Sequence, residues 1–344
     1  MVRFGTRLLM GRGWGGIREI PVYAQQLEEL GYDHLWCADE RFERDVYVLL
    51  SLAALKTERA MLGTCVTNPY LRHPLMTATG IATVNELSGG RTVLGIGAGA
   101  SAMFERHSMA RPSPPLIAIR EATEVIRAVL SGAKVDYEGR TMKFKRADLD
   151  FEPRYVPIYI ASRGPKLFQL AGELADGVII GSLASREGLR FAFENIRRGA
   201  EKAGRDPKAI DVVFWSYTSM SDDEAEAKQH VKRIVISSMW SSKSILRHLG
   251  VDDDAWRPIE ETLKKGFATG LDPEAIYKQA YGQLSDEILD TWSVTGNPDR
   301  VTRKVKDIID AGVNQFALLP FAETEKEGRT MQKQFAETVI PRLK

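Results

Sequence analysis

Cysteine is nearly absent from this 344-residue chain. The two present, Cys37 and Cys65, each fall inside an apolar run that reads as a strand, which argues against a disulfide framework. No CxxC occurs, and His34, His73, His107, His230 and His248 show no HxxxH spacing, so no metal site is expected. A GxSxG nucleophile motif is missing as well. Neither sign of charge dominates: Lys plus Arg number 47 against 46 Asp plus Glu, and no basic run suits nucleic acid or an anionic membrane. Apolar stretches stop at strand length, so no segment is expected to span a bilayer. Arg3 and Arg7 lead into Met10-Gly11-Arg12-Gly13 without an apolar signal region. A cytoplasmic protein with a small-molecule substrate is the expectation.

What is present is the balance of a globular enzyme or binding protein, 44% apolar and 27% charged. Strand-like runs occur at residues 2–10, 34–40, from 61, 91–99, 156–162, 177–182, 211–220 and 315–320. Helical spacing separates them, as in Ile20, Tyr23, Ala24, Leu27 and Leu30, or Ile119, Ala122, Ile126, Val129 and Leu130. Eight such units, apolar enough for burial on both faces, predict an α/β fold of the (β/α)8 TIM-barrel type. The surplus is assigned to a loop at 100–115, a hairpin near 135–150 and a helical insertion near 241–297, all within one domain over 1–344. A doubly wound sheet is the rival, but the alternation never breaks into halves.

A barrel puts its chemistry at the C-terminal strand ends, and four such ends stand out. "CADER" closes the second strand with Asp39 and Glu40, a pair able to bond a cofactor edge and move a proton, or else a solvated acidic loop. "LGIGAGAS" is GxGxG, not GxGxxG, and no acidic residue follows at dinucleotide spacing. Its Gly97, Ala98 and Gly99 are read as letting a planar ring approach the backbone. "SRGPKLFQ" places Gly164-Pro165 at a helix start, where free N–H groups attract anions. Ser162, Arg163 and Gly164, with Gly181 and Ser182 on the next strand, are therefore candidate phosphate ligands, against the alternative of an ordinary capped helix. The third strand ends in Cys65-Val66-Thr67-Asn68 before Pro69, with small and polar side chains where Val and Ile would bury better.

Three stretches carry a resemblance: "LGTCVTNPYLRHPLMTATGIATVNELSGGRTVLGIGAG", "VPIYIASRGPKLFQLAGELADGVIIGS" and "TWSVTGNPDRVTRKVKDIIDAGVNQF". Together they resemble the bacterial-luciferase-like family, in the branch that uses the deazaflavin coenzyme F420, and within it the methylenetetrahydromethanopterin reductases. The resemblance implies a (β/α)8 barrel oxidoreductase that passes hydride at the deazaflavin C5. It implies a dimer packed through the early helices, or a higher homo-oligomer. It also implies a non-proline cis peptide joining Cys65 to Val66 behind the middle ring, with cis Asn68-Pro69 as the alternative. Thr67 and Asn68 would then meet the ring edge and Asp39 would position it.

Two positions depart from the branch pattern. Glu40 stands where a histidine is common, and the resemblance implies that it exchanges the substrate proton. Arg7 stands where the pterin reductases carry a glutamate, which suits an anionic or carbonyl-bearing substrate. An FMN-dependent monooxygenase and a non-catalytic flavin-binding relative are the alternative readings.

Overall fold

The computed structural model describes residues 2–10, 16–39, 43–99, 104, 109, 113–269 and 272–344. Side chains along β9 (Asp211–Met220) alternate between two apolar layers. Val213, Trp215 and Tyr217 join an interior cluster with Trp36, Val93, Tyr159, Ile179, Ala317 and Leu319. Val212 and Phe214 face the surrounding helices, in a cluster that includes Phe4, Leu35, Leu62, Leu94, Ile160, Val178 and Phe316. A strand buried on both faces needs neighbours on both edges and helices outside. The remaining strands supply that arrangement.

These are β1 (Arg3–Arg7), β2 (His34–Cys37), β3 (Met61–Thr64), β4 (Thr92–Ile96), β7 (Ile158–Ser162), β8 (Gly177–Gly181) and β11 (Gln315–Pro320). Neighbours pair in parallel in the order β1-β2-β3-β4-β7-β8-β9-β11, and β11 returns to β1, so the eight strands close. The expected (β/α)8 barrel is the observed architecture. The hairpin is β5 (Val135–Glu138) with β6 (Lys143–Ala147). One further strand, β10 (Val294–Gly296), extends the wall by pairing with Thr218–Met220 of β9. Its three residues are too few to show a periodicity, so sequence reading missed it. Helices Glu224–Ser241, Asp253–Ala268, Pro273–Gln279 and Asp286–Trp292 lie between β9 and β10.

Trp36 fills the barrel interior, and its neighbours make room for it. A Cβ on Gly63 would lie 2.4 Å from the indole ring, and one on Gly5 would lie 2.8 Å from its Nε1. His34 stacks below at 5.7 Å between ring centres. Burial, helped by the nearby Arg3 charge, pushes the His34 imidazole down to about 3. At the other end of β1, Gln332 of the C-terminal helix Glu325–Thr338 holds the strand in place. Its amide nitrogen donates to Thr6 Oγ1 at 2.7 Å and to the Arg7 carbonyl at 2.8 Å. That contact fixes the backbone from which the Arg7 side chain leaves.

Candidate active site

The C-terminal ends of β2, β3 and β4 form one side of the barrel mouth. β3 pairs with β4 only through Leu62 and Gly63, and is then interrupted. The Cys65-Val66 peptide is cis, and pairing resumes where the Thr67 N–H donates to the Gly95 carbonyl at 3.0 Å. The Gly97 N–H donates back to the Thr67 carbonyl at 2.9 Å. The Thr64 hydroxyl spans the gap, donating to the Gly95 carbonyl at 2.7 Å and accepting the Gly95 N–H at 2.9 Å. Small and hydroxyl side chains replace Val and Ile here because the interrupted ladder needs substitute partners.

The bulge leaves a floor lined by small residues. Cys65 and Thr67 are buried, whereas Val66 is partly open and packs on the interior cluster. A Cβ on Gly97 would sit 2.9 Å from Val66 Cγ2 and 3.5 Å from the Ala161 Cβ, so any larger residue would push into this surface. Gly99 has φ +68, a conformation glycine takes without strain. Ala98 is half-buried between them. Asn68 is buried, and its side-chain oxygen accepts the N–H groups of Tyr70 and Leu71 at 3.1 and 3.0 Å. That oxygen serves the turn, leaving the amide nitrogen on the side of Gly99.

Thr67 also reaches across to β2, donating its hydroxyl to Asp39 Oδ2 at 2.7 Å. Arg72 Nε stands 3.6 Å from the same oxygen, while its Nη2 donates to Asp45 Oδ2 at 2.8 Å. Burial alone would raise the Asp45 carboxyl, but the Arg72 bond and the Val48 and Tyr47 N–H groups hold it below the usual range. Glu40 lies outside the described residues. Arg7 pairs through Nη2 with Glu43 Oε2 at 3.2 Å, and its buried Nε finds no partner among the described residues. Cys37, the last residue of β2, is a buried free thiol pushed up to about 12 by burial.

The other side of the mouth comes from β7, β8 and β9. Gly164 caps helix Pro165–Leu174 with extended backbone and no side-chain cap. Its N–H donates to the Ser162 hydroxyl at 3.0 Å, so the N–H groups of Lys166 and Leu167 are the ones left for an anion. A Cβ on Gly164 would meet nothing within 4 Å. Arg163 Nε donates to the Gly181 carbonyl at 3.0 Å, and Nη2 donates to the Tyr217 hydroxyl. Gly181 is thus the seat of Arg163, since a Cβ there would lie 3.0 Å from Nε. Ser182 is fully buried with φ 48. Its hydroxyl donates to the Trp215 carbonyl at 2.8 Å and accepts the Tyr217 N–H at 3.0 Å. Ser182 therefore ties β8 to β9, and its hydroxyl is committed to that junction.

Helix Glu224–Ser241 covers the mouth beside β9. Ile234 packs on the interior cluster, Ser238 Oγ lies 3.0 Å from the Tyr217 hydroxyl, and His230 Nδ1 lies 3.1 Å from Ser219 Oγ. Sequence reading passed over Tyr217, Ser219, His230, Ser238, Arg72 and Glu43. The available signal was the hydroxyl run Ser216-Tyr217-Thr218-Ser219 at the C-terminal end of an otherwise apolar strand. Among the described residues, no three His, Cys, Asp or Glu converge as a metal-binding group.

A closed parallel barrel with a bulged third strand, a glycine-lined floor and an uncapped helix N-terminus at one mouth is the arrangement of a barrel enzyme with its site at the C-terminal strand ends. The luciferase-like monooxygenase family model matches residues 2–315, and the chain belongs to that family. It is similar to the 5,10-methylenetetrahydromethanopterin reductase of Archaeoglobus fulgidus, with 38% identity over 95% of this chain and 96% of the relative. Its structure is similar to that of the coenzyme F420-dependent tetrahydromethanopterin reductase from Methanopyrus kandleri. That match has a TM-score of 0.82 and 30% identity, covering 100% of this chain and 99% of the other. An F420-dependent secondary alcohol dehydrogenase, seen with an F420-acetone adduct, shares the fold at TM-score 0.78 and 20% identity, over 100% of this chain and 99% of that one.

Proposed function

We propose that this chain is an F420-dependent oxidoreductase that passes hydride between C5 of the deazaflavin and a one-carbon unit on a tetrahydromethanopterin-type pterin. The observation that carries the reading is the end-to-end likeness to 5,10-methylenetetrahydromethanopterin reductases, 38% identical over 95% of this chain. The mouth fits the group. Its floor has room for a ring only while residue 97 has no side chain to crowd Val66, and the first turn of helix Pro165–Leu174 opens to an anion beside Arg163. When bound, the coenzyme supplies the hydride chemistry, and the protein supplies orientation and electrostatics.

The chain's own residues divide that work between the two sides. Val66, Gly97, Ala98 and Gly99 offer the face on which a ring lies. Asp39, anchored by Thr67, and Asn68 hold the ring edge, with Cys65 packed beneath. Ser162, Arg163 and Gly164 shape the phosphate seat, Gly181 supports Arg163, and Ser182 fixes the strand junction below. Glu40 is assigned the proton that accompanies hydride transfer. The Arg7–Glu43 pair marks where substrate meets β1, and its guanidinium suits an anionic or carbonyl group. A pterin ring presents such a carbonyl edge.

This reading is favoured over FMN-dependent oxygen chemistry and over a non-catalytic flavin binder, because the similar tetrahydromethanopterin reductase, matched over 99% of its chain, is coenzyme F420-dependent. We further propose one cytoplasmic domain over 1–344, acting as a homodimer. No helix among the described residues is long and apolar enough to cross a membrane. Among those residues, the exposed large apolar side chains are Ile17, Val22, Val48, Leu55, Leu71, Met76, Leu87 and Tyr155, and all but Tyr155 lie on or next to the early helices. Titration with F420 and with FMN, followed by hydride transfer from reduced F420 to methylenetetrahydromethanopterin, tests the activity. Tight F420 binding with turnover supports it; binding of FMN alone, or F420 binding without turnover on this pterin, moves the chain to one of the other readings.

A further inference from the structure

Arginine presents five N–H donors in a planar fork, and a phosphate is best met by two of them along one edge. In Arg163 the Nε and Nη2 groups on one edge are already committed, to the Gly181 carbonyl and the Tyr217 hydroxyl. Nη1 makes no hydrogen bond among the described residues, so the opposite edge, Nη1 with the second hydrogen of Nη2, is left for a ligand. Tyr217 lies in the barrel interior and is 4% exposed, so its hydroxyl has few alternatives. It accepts from Arg163, which frees its own hydrogen for Ser238 Oγ at 3.0 Å on helix Glu224–Ser241. The guanidinium also faces the Tyr217 ring at 5.9 Å, and Phe321 packs edge-on against that ring at 5.5 Å.

The geometry assigns Tyr217 as a positioning residue for the cofactor phosphate: with Gly181 it pins one edge of Arg163 so that the other edge faces the anion beside Gly164. The inference rests on the proposed phosphate seat at Ser162–Gly164. It adds a group two strands away that touches neither phosphate nor ring. An arginine held on one edge loses less side-chain freedom when it binds, and that pre-organisation is where the affinity gain arises. Ser238 completes the chain of bonds by orienting the phenol hydrogen away from Arg163. Tyr217, although buried among apolar residues, therefore contributes to ligand discrimination through a single hydroxyl.

The test compares two probes that differ only by the phosphate: the 8-hydroxy-5-deazaflavin with its unphosphorylated ribityl chain, and its 5′-phosphate. Fluorescence titration gives the affinity ratio between them for the wild type, Tyr217→Phe, Ser238→Ala and Arg163→Gln. Tyr217→Phe keeps the ring and its packing and should lower the ratio by about fivefold, the effect of one hydrogen bond, with affinity for the unphosphorylated probe unchanged. Ser238→Ala should lower it in the same direction by less, and gives an independent reading if Tyr217→Phe folds poorly. If both probes weaken equally in Tyr217→Phe, the tyrosine is merely structural and the inference fails. If Arg163→Gln abolishes the preference while Tyr217→Phe and Ser238→Ala leave it intact, the phosphate seat stands and Tyr217 has no part in it. If Arg163→Gln also leaves it intact, the underlying phosphate seat itself is wrong.

Discussion

Thr67 donates its hydroxyl to Asp39 Oδ2 at 2.7 Å, and through this bond the bulge of β3 sets the direction of the carboxylate at the end of β2. Thr67 is fully buried, whereas the Asp39 side chain keeps 20% exposure, so the carboxylate is held at one oxygen and remains open to solvent. Thr67→Val keeps the side-chain shape and removes the donor. It should weaken F420 binding about tenfold or more, as expected for one lost bond to a charged acceptor. Thr67→Ser should restore most of the affinity, and Asp39→Ala should weaken binding further than Thr67→Val. Fluorescence titration of the three variants checks this; equal affinity in Thr67→Val and the wild type would detach Asp39 from the ring edge.

Glu40 follows Asp39 at the position where a histidine is common in the F420 branch. A general acid or base at a reacting centre contributes about 10²–10⁴ in rate. Glu40→Gln keeps the size and removes the titrating group. Turnover with reduced F420 and pterin should fall by that order while the F420 dissociation constant stays within about twofold. Turnover within about threefold of the wild type would leave Glu40 without a catalytic part.

His34, at the N-terminal end of β2, contributes to the response to acid. His34 is buried, stacked on Trp36 and held near a folded value of about 3, against an ordinary value of 6.5. Between those values the unfolded chain binds a proton that the folded chain refuses, so stability falls as pH drops through the window. The loss attributable to His34 at pH 5 is about 2 kcal/mol. Chemical denaturation at pH 5 and pH 7 should show it, and His34→Leu should flatten the difference whatever its stability at pH 7. An unchanged slope in His34→Leu would assign the acid sensitivity elsewhere.

The eight barrel strands were legible because each is an apolar run bounded by helical spacing. β10 was not, because Val294–Gly296 is held by the tail of β9 and not by any pattern of its own. Strand-end residues were legible by position, yet their partners were not. That Ser182 serves the Trp215 and Tyr217 backbone, or that Arg163 rests on Gly181 and Tyr217, depends on contacts between residues 18 to 54 apart in sequence. Barrel closure alone brings those groups together. The glycines after β4 are legible as places where the backbone is open to approach, but the side chain that needs the space at Gly97, Val66 with its Cγ2, appears only once the strands are paired.

The surface of the early helices carries the last prediction. Helices Ile20–Glu29, Val46–Ala54 and Pro74–Leu87 pack in succession around β1 to β4. Val48 is 48% exposed, Leu55 60%, Met76 59% and Leu87 50%, all on or next to the second and third of these helices. Scattered apolar side chains on a surface need no explanation, but a concentration on adjoining helices marks an interaction face. A second copy of this chain is the proposed partner, with the two faces meeting about a twofold axis. A stable interface needs roughly 1,200–2,000 Å² in total, with an apolar centre free of unpaired charge. Met76→Glu with Val48→Glu places two carboxylates there in each protomer, four in the dimer, without entering the core. Sedimentation at micromolar concentration should show a dimer for the wild type and a monomer for the double variant, while F420 affinity per chain changes little. A wild type that sediments only as a monomer at that concentration would leave this face without a second copy.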